Sequence, residues 1–160
     1  MQISENSRVW IYQSNRIFNE TEKGEIETIL TDFTSQWQAH GNQLAAYTEV
    51  RYNRFIILIV DESQAGATGC SIDKSVKLMQ QIEEQYKVNL FDRFNIAYRQ
   101  GDDILSAGRV DFESLVQQGV VNEDTIVFNN LVQTKKELDN NWEVPFKHSW
   151  HARVFSSAIS

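Results

Sequence analysis

The sequence predicts an α+β protein with a β-α-β-β-α-β order over residues 8–100 and a C-terminal α/β extension over residues 101–160. Three observations carry this prediction. Phe55–Asp61 is a nearly unbroken apolar run, the pattern of a strand buried on both faces. Two later-packing segments, one on either side of it, carry apolar residues at helical spacing behind polar residues that can cap a helix. Only Tyr52, Asn53 and Arg54 separate the apolar run from the strand before it, so the two middle strands form a hairpin and not a crossover.

The elements follow in order. Arg8–Gln13 is aromatic and β-branched, which suits a strand. Asn19 is placed to cap a helix, and Glu20 and Glu22 in its first turn complement the helix dipole. Ile26, Ile29, Leu30, Phe33 and Trp37 recur on one face, and Gly41 marks a stop. Leu44–Arg51 and Phe55–Asp61 are the hairpin arms. Gly66 and Gly69 break the chain before a second helix with Ile72, Val76, Met79, Ile82 and Tyr86 on one face. Phe94–Arg99 is the fourth strand. This order is that of the ferredoxin-like fold, in which the fourth strand joins the first.

The last sixty residues form the extension. Asp103–Ser106 reads as an edge strand, Asp111–Gln118 as a short helix ending at Gly119, and Thr125–Phe128 as a strand. Thr134 is placed to cap a helix through Leu138. The tail from Trp142 to Phe155 contains the single Pro and two of the three His. It is too aromatic to stay unpacked and is expected to lie back on the core. The whole chain is expected to form one domain.

Composition narrows the function. Hydrophobic residues make up 41% and charged residues 23% of the 160 residues, the balance of a globular protein with a core of its own. With 7 Gly and 1 Pro, collagen-like and low-complexity classes are excluded. Fifteen Lys and Arg against 22 Asp and Glu give a net charge of −7, which opposes binding to nucleic acid or to an anionic membrane surface. A single cysteine, Cys70, excludes an internal disulfide and a Cys-based zinc site. No apolar run approaches the length of a membrane span, so no membrane insertion is expected. Met1–Arg8 is polar and lacks a signal segment, which makes the cytoplasm the expected compartment.

Two candidate sites emerge from the predicted topology. At one end of the sheet, the strand order brings His40 and Gly41 close to Asp61, Glu62 and the turn Gly69-Cys70-Ser71. Free amides at a helix start favour an anion, so Gly69, Cys70 and Ser71 are candidate ligand-binding residues. A thiol at the same place gains thiolate character, with His40 as general base or imidazolium partner. Cys70 and His40 are therefore the candidate catalytic pair. The same residues also read as a capped helix start with an ordinary small apolar Cys. At the other end, Arg16, Arg51, Arg54 and Arg93 converge, and Arg16, Arg54 and Arg93 are candidate anion ligands. The alternative there is a solvated, salt-bridged rim, with Glu49 and Asp92 as partners.

His148 and His151 are three residues apart and would be neighbours on a helix, but no carboxylate completes a metal set, so neither a metal nor another cofactor is expected. Trp142 and Trp150 read as anchors that pin the tail. The glycine turn is not a P-loop: Cys70, not Lys, follows Gly69, and Lys74 lies four positions further on.

Three segments, Val9–Arg16, Gly69–Ser75 and the tail Trp142, Pro145 and Ser149–His151, resemble a family of short bacterial proteins often labelled ABC transporter ATPase. The resemblance runs over nearly the whole chain and carries no catalytic residues with it. The label implies ATP hydrolysis, whereas the phosphate-binding Lys and the signature sequence of such ATPases are missing here. The residues themselves point to a small-molecule, anion-binding or protein-interaction module, with homodimer formation through an open sheet edge. The alternative is an enzyme using Cys70 with His40.

Overall fold

The computed structural model describes residues 3–155. Residues 1–2 and 156–160, the two ends of the expected 1–160 domain, lie outside them. The fold is α+β, with helices packed on antiparallel sheets.

The first sheet has strands β1 (Arg8–Gln13), β4 (Ala45–Arg51) and β5 (Phe55–Asp61), in the order β1-β5-β4. Both pairings are antiparallel, and β5 lies in the middle. Every residue of Phe55–Val60 is buried. Alternation assigns them to two cores. Ile56 and Leu58 pack with Tyr12, Val50 and the inner faces of helices α1 (Glu20–Gln36) and α2 (Gly69–Tyr86). Phe55, Ile57 and Ile59 pack on the opposite side with Ala97, Phe128, Leu138 and Trp142. The continuous apolar run is thus explained by two layers that need it.

α1 starts at the predicted cap. Asn19 accepts from Glu22 N–H, and Glu22 accepts in return from Asn19 N–H, a complete capping box. Its end differs from expectation. Trp37 leaves the helix in extended backbone, and Gly41 does not stop a helix but turns a small hairpin of β2 (Gln38–Ala39) and β3 (Asn42–Gln43). His40 and Gly41 both have positive φ at that turn, 52° and 79°, which a glycine adopts without strain.

The fourth predicted strand, β6 (Ile96–Gln100), does not join β1. It opens a second sheet, with β7 (Asp103–Ala107), β8 (Ile126–Phe128) and β9 (Glu143–Pro145), in the order β7-β6-β8-β9. The first sheet therefore has three strands, and the expected four-stranded ferredoxin-like order is not formed. Two features of the chain account for this. Gly101-Asp102 closes a hairpin in which β6 and β7 align over five residue pairs, and so short a loop costs little closure entropy. The outer edge of β1 is also occupied at its start, where Val9 N–H donates to Gln133 O at 3.0 Å and Arg8 bridges Thr134. The expected boundary between core and extension at residue 100 falls inside the β6-β7 hairpin.

The second sheet is covered on its far side. Ile96, Tyr98 and Val127 pack against Phe112 and Val116 of α3 (Arg109–Gln117), Phe146, and Phe155 of α5 (Trp150–Phe155). α4 (Lys135–Asn141) is capped by Thr134, as the sequence predicts. The aromatic tail packs on the core through fully buried Trp142, Phe146 and Phe155. The layers run helices, sheet, sheet, helices.

Candidate functional site

A concave site lies between β1 and the segment leading into β6. A cavity of about 420 Å³ separates them, within the range of small-molecule pockets. One wall is Ile11, Tyr12 and Gln13 of β1; another is Leu90–Ile96, the segment leading into β6; Phe128, Asn130, Leu131, Trp150 and His151 complete it. A groove of about 650 Å³ adjoins it along β1 and shares Ile11, Tyr12, Arg93, Asn130 and Leu131.

A chain of side-chain hydrogen bonds links the lining residues Asn130, Gln13 and Asn95 to Trp142. Trp142 Nε1 donates to Asn130 Oδ1 at 2.9 Å. Asn130 Nδ2 donates to Gln13 Oε1 at 2.8 Å, and Gln13 Nε2 donates to Asn95 O at 2.5 Å. The chain has one polarity from the tail to the start of β6. Each amide is thereby fixed in orientation, since reversing any one would set donor against donor.

The walls are mostly apolar, but three polar atoms on lining residues are buried without a hydrogen-bond partner: Asn95 Nδ2, Trp150 Nε1 and His151 Nδ1. Uncompensated groups of this kind cost about 1–3 kcal/mol each. His151 is buried, stacked on Trp150 at 3.9 Å between ring centroids. Burial pushes its pKa down to about 4, so the imidazole is neutral at physiological pH. At the mouth, Phe91, Phe94 and Leu131 are 41%, 40% and 60% exposed, an apolar rim beside exposed Arg93 and Asp92.

The sequence-predicted residues take different places. The end of α1 and the start of α2 do meet: Trp37 Nε1 donates to Ser71 O at 2.8 Å. Glu62 also reaches this end, where its Oε2 accepts from Ala67 N–H at 2.8 Å. Cys70 is exposed in the first turn of α2, and His40 is exposed at its hairpin turn. No hydrogen bond joins Cys70 to His40 among the described residues. Part of the donor set at Gly69, Cys70 and Ser71 is committed to the fold: Ser71 N–H donates to Thr68 Oγ1 at 3.3 Å, and Thr68 N–H to Ser71 Oγ at 2.7 Å. The carboxylate of Glu62 on the preceding loop further opposes an anion there.

The arginines do not form one open cluster. Arg16 grips both oxygens of Glu22 at 2.8 Å and donates to Tyr86 O at 2.6 Å. This guanidinium, with Asn19 N–H, holds the Glu22 carboxyl down to about 2. Arg51 is paired with Glu49 at 2.7 Å, and its guanidinium lies over the Trp142 ring. Arg54 is buried, donating to Ser106 Oγ at 2.7 Å and Ser14 O at 3.4 Å, with Nε unpartnered. Burial lowers its pKa. Of the predicted anion ligands only Arg93 borders the cavity. His148 lies in a short 3-10 turn and His151 in α5; among the described residues no group of three or more His, Cys, Asp or Glu is placed to hold a metal.

Sequence reasoning missed Gln13, Asn95, Asn130 and the cavity itself. The available signal was the aromatic tail, which was expected to fold back and does so by bringing Trp150 and His151 to the cavity wall. No family model, no curated protein and no solved structure matches this chain. Among the described residues no helix is long and apolar enough to cross a membrane.

Proposed function

We propose that the protein is a small-molecule-binding module whose ligand occupies the cavity between β1 and β6. The observation that carries this reading is the cavity of about 420 Å³ with mostly apolar walls between β1 and the segment leading into β6. An apolar enclosure supplies most of the affinity, and a few oriented polar groups supply selectivity. The anion reading at Gly69, Cys70 and Ser71 remains the alternative, since Cys70 is exposed there. The test is a nuclear magnetic resonance screen of small aromatic fragments beside a titration with inorganic phosphate. Fragment-induced shifts confined to residues 11–13, 90–96 and 150–151 are expected. Fragment shifts scattered over the surface would overturn the cavity reading, and phosphate shifts at 69–71 would favour the anion site.

A second reading concerns association. β7 is an edge strand of the second sheet and Leu105 on it is 37% exposed, which favours pairing of two copies. A sedimentation series across protein concentration tests it, and a constant monomer mass would remove it. The ATPase activity implied by the family resemblance has no phosphate loop to carry it, and calorimetry with ATP and magnesium would register no heat of binding.

A further inference from the structure

We infer that the ligand of this cavity is a short peptide that lies extended along the outer edge of β1, pairs its backbone with Ile11 and turns a carboxylate toward Arg93. This rests on the cavity reading above and names the class of ligand. β1 is joined to β5 along one edge, and in an antiparallel ladder successive residues turn their N–H and C=O groups to opposite sides. Three contacts fix the phase. Val9 N–H donates to Gln133 O at 3.0 Å and Asn15 N–H to Asn89 O at 3.3 Å, both away from β5. Ser14 N–H, in the opposite phase, donates at 2.8 Å to Arg54 O, one residue before β5. Ile11 shares the phase of Val9 and Asn15, so its N–H and its C=O both point outward. Among the described residues no hydrogen bond reaches either group from that side. Ile11 is half-buried and lines both the cavity and the adjoining groove.

An outward N–H and C=O on one residue form a two-point rung. The group that fits it offers an acceptor and a donor at the same spacing, which is another extended residue. An isolated ketone, amine or carboxylate supplies only half of it. Length follows from the two ends. Gln133 closes the edge at Val9 and Asn89 closes it at Asn15, a stretch of about 20 Å at strand rise. A strand of a folded partner has no room to run on in the plane of the sheet, whereas a peptide of about three residues fits. Tyr12, Leu90, Phe91 and Phe128 face the gap, so apolar side chains suit it. Arg93 is exposed, lines both the cavity and the groove, and forms no ion pair among the described residues. The neighbouring carboxylates are engaged by backbone amides: Asp92 Oδ1 accepts from Phe94 N–H at 2.9 Å, and Glu62 Oε2 from Ala67 N–H at 2.8 Å. A carboxylate on the peptide therefore finds the Arg93 guanidinium unpaired.

Five probes test the inference: acetyl-Val-Val-Val as the free acid, its carboxamide, the carboxamide N-methylated at its second and third residues, the carboxamide flanked on both sides by Gly-Ser-Gly-Ser, and indane. Each is titrated at pH 7 against the full chain while the backbone amide signals are followed. The free acid is expected to bind, to shift the Ile11 N–H signal and to slow its exchange with solvent. Methylation of two consecutive nitrogens removes a donor from each edge of the peptide and is expected to weaken the carboxamide about tenfold, the loss of one or two hydrogen bonds. Arg93→Gln is expected to weaken the free acid severalfold and to leave the carboxamide unchanged. If the N-methylated tripeptide binds as tightly as its parent, pairing with Ile11 is wrong. If the flanked sequence binds as tightly as the tripeptide, the occupant is a segment of a longer chain and the short peptide is wrong. If Arg93→Gln changes acid and carboxamide alike, the carboxylate contact is wrong. If indane binds and no peptide does, the cavity reading stands and this inference falls. If nothing binds, the cavity reading falls with it.

Discussion

Gln13 Nε2 donates to Asn95 O at 2.5 Å, a side-chain bond that ties the end of β1 to the residue before β6. β6 belongs to the second sheet, so this bond links the two sheets. Both residues line the cavity.

Gln13 is buried and serves as donor to Asn95 and acceptor from Asn130. Gln13→Leu orphans Asn130 Nδ2 and frees the Asn95 carbonyl. Unfolding in urea is expected to show a loss of about 1–3 kcal/mol. Fragment affinity is expected to fall in the same variant. Unchanged stability would show that the hydrogen-bond chain does not brace the cavity.

His151 gives stability a defined pH dependence. Its pKa is lowered from 6.5 to about 4 in the folded protein. Between those values the unfolded chain binds more protons than the folded one, so acid favours unfolding. The neutral-state advantage is complete above about pH 6.5 and lost as pH falls toward 4, at a slope of up to about 1.4 kcal/mol per pH unit. Melting temperatures from pH 7 to 4.5 are expected to drop faster in the parent protein than in His151→Phe. Parallel curves would mean that His151 is already solvated.

Glu22 acts in a lower window. Its carboxyl is held at about 2 against 4.5 unperturbed, so its pairing with Arg16 stabilises above about pH 4.5 and fades as pH falls toward 2. Arg16→Met is expected to lower stability by about 1 kcal/mol at pH 7, modest because Arg16 is partly exposed. Denaturant midpoints of the two proteins should draw together only as pH falls through about 2. A difference that persists there would assign the loss to the Tyr86 carbonyl contact instead.

Cys70 is the single thiol and is exposed. A small alkylating reagent is expected to reach it in the folded protein about as fast as in the denatured chain. His40→Asn is expected to leave the rate unchanged at each pH, because no hydrogen bond joins the two among the described residues. A rate that changes with His40 would restore the Cys-His reading, and protection until denaturant is added would contradict the exposure of Cys70.

Much of the fold was legible from residues 8–100. The Asn19 helix start and the β4-β5 hairpin are local, and local capping and turn chemistry declares them. The burial of Phe55–Val60 was legible because a strand covered on both faces needs no polar positions. The partnering of β6 was not. Ile96, Ala97 and Tyr98 are apolar in succession, which suits any central strand, and nothing in that pattern names its neighbour. The arginine end misled for a related reason: topology placed the residues together, but Glu22 and Glu49 had already taken two of them.

By itself, then, the sequence determined the α+β class, the element boundaries near their caps and turns, and the buried strand, since these depend on contacts between residues close in the chain. Only the tertiary structure decided which strands met, and with that the cavity. Gln13, Asn95, Asn130 and His151 are separated by up to 138 residues, from 151 − 13, and no local periodicity encodes so distant a meeting. Pairing over that range is settled by which arrangement buries the most apolar surface with its polar groups satisfied. Here that arrangement left three polar atoms unsatisfied around one cavity.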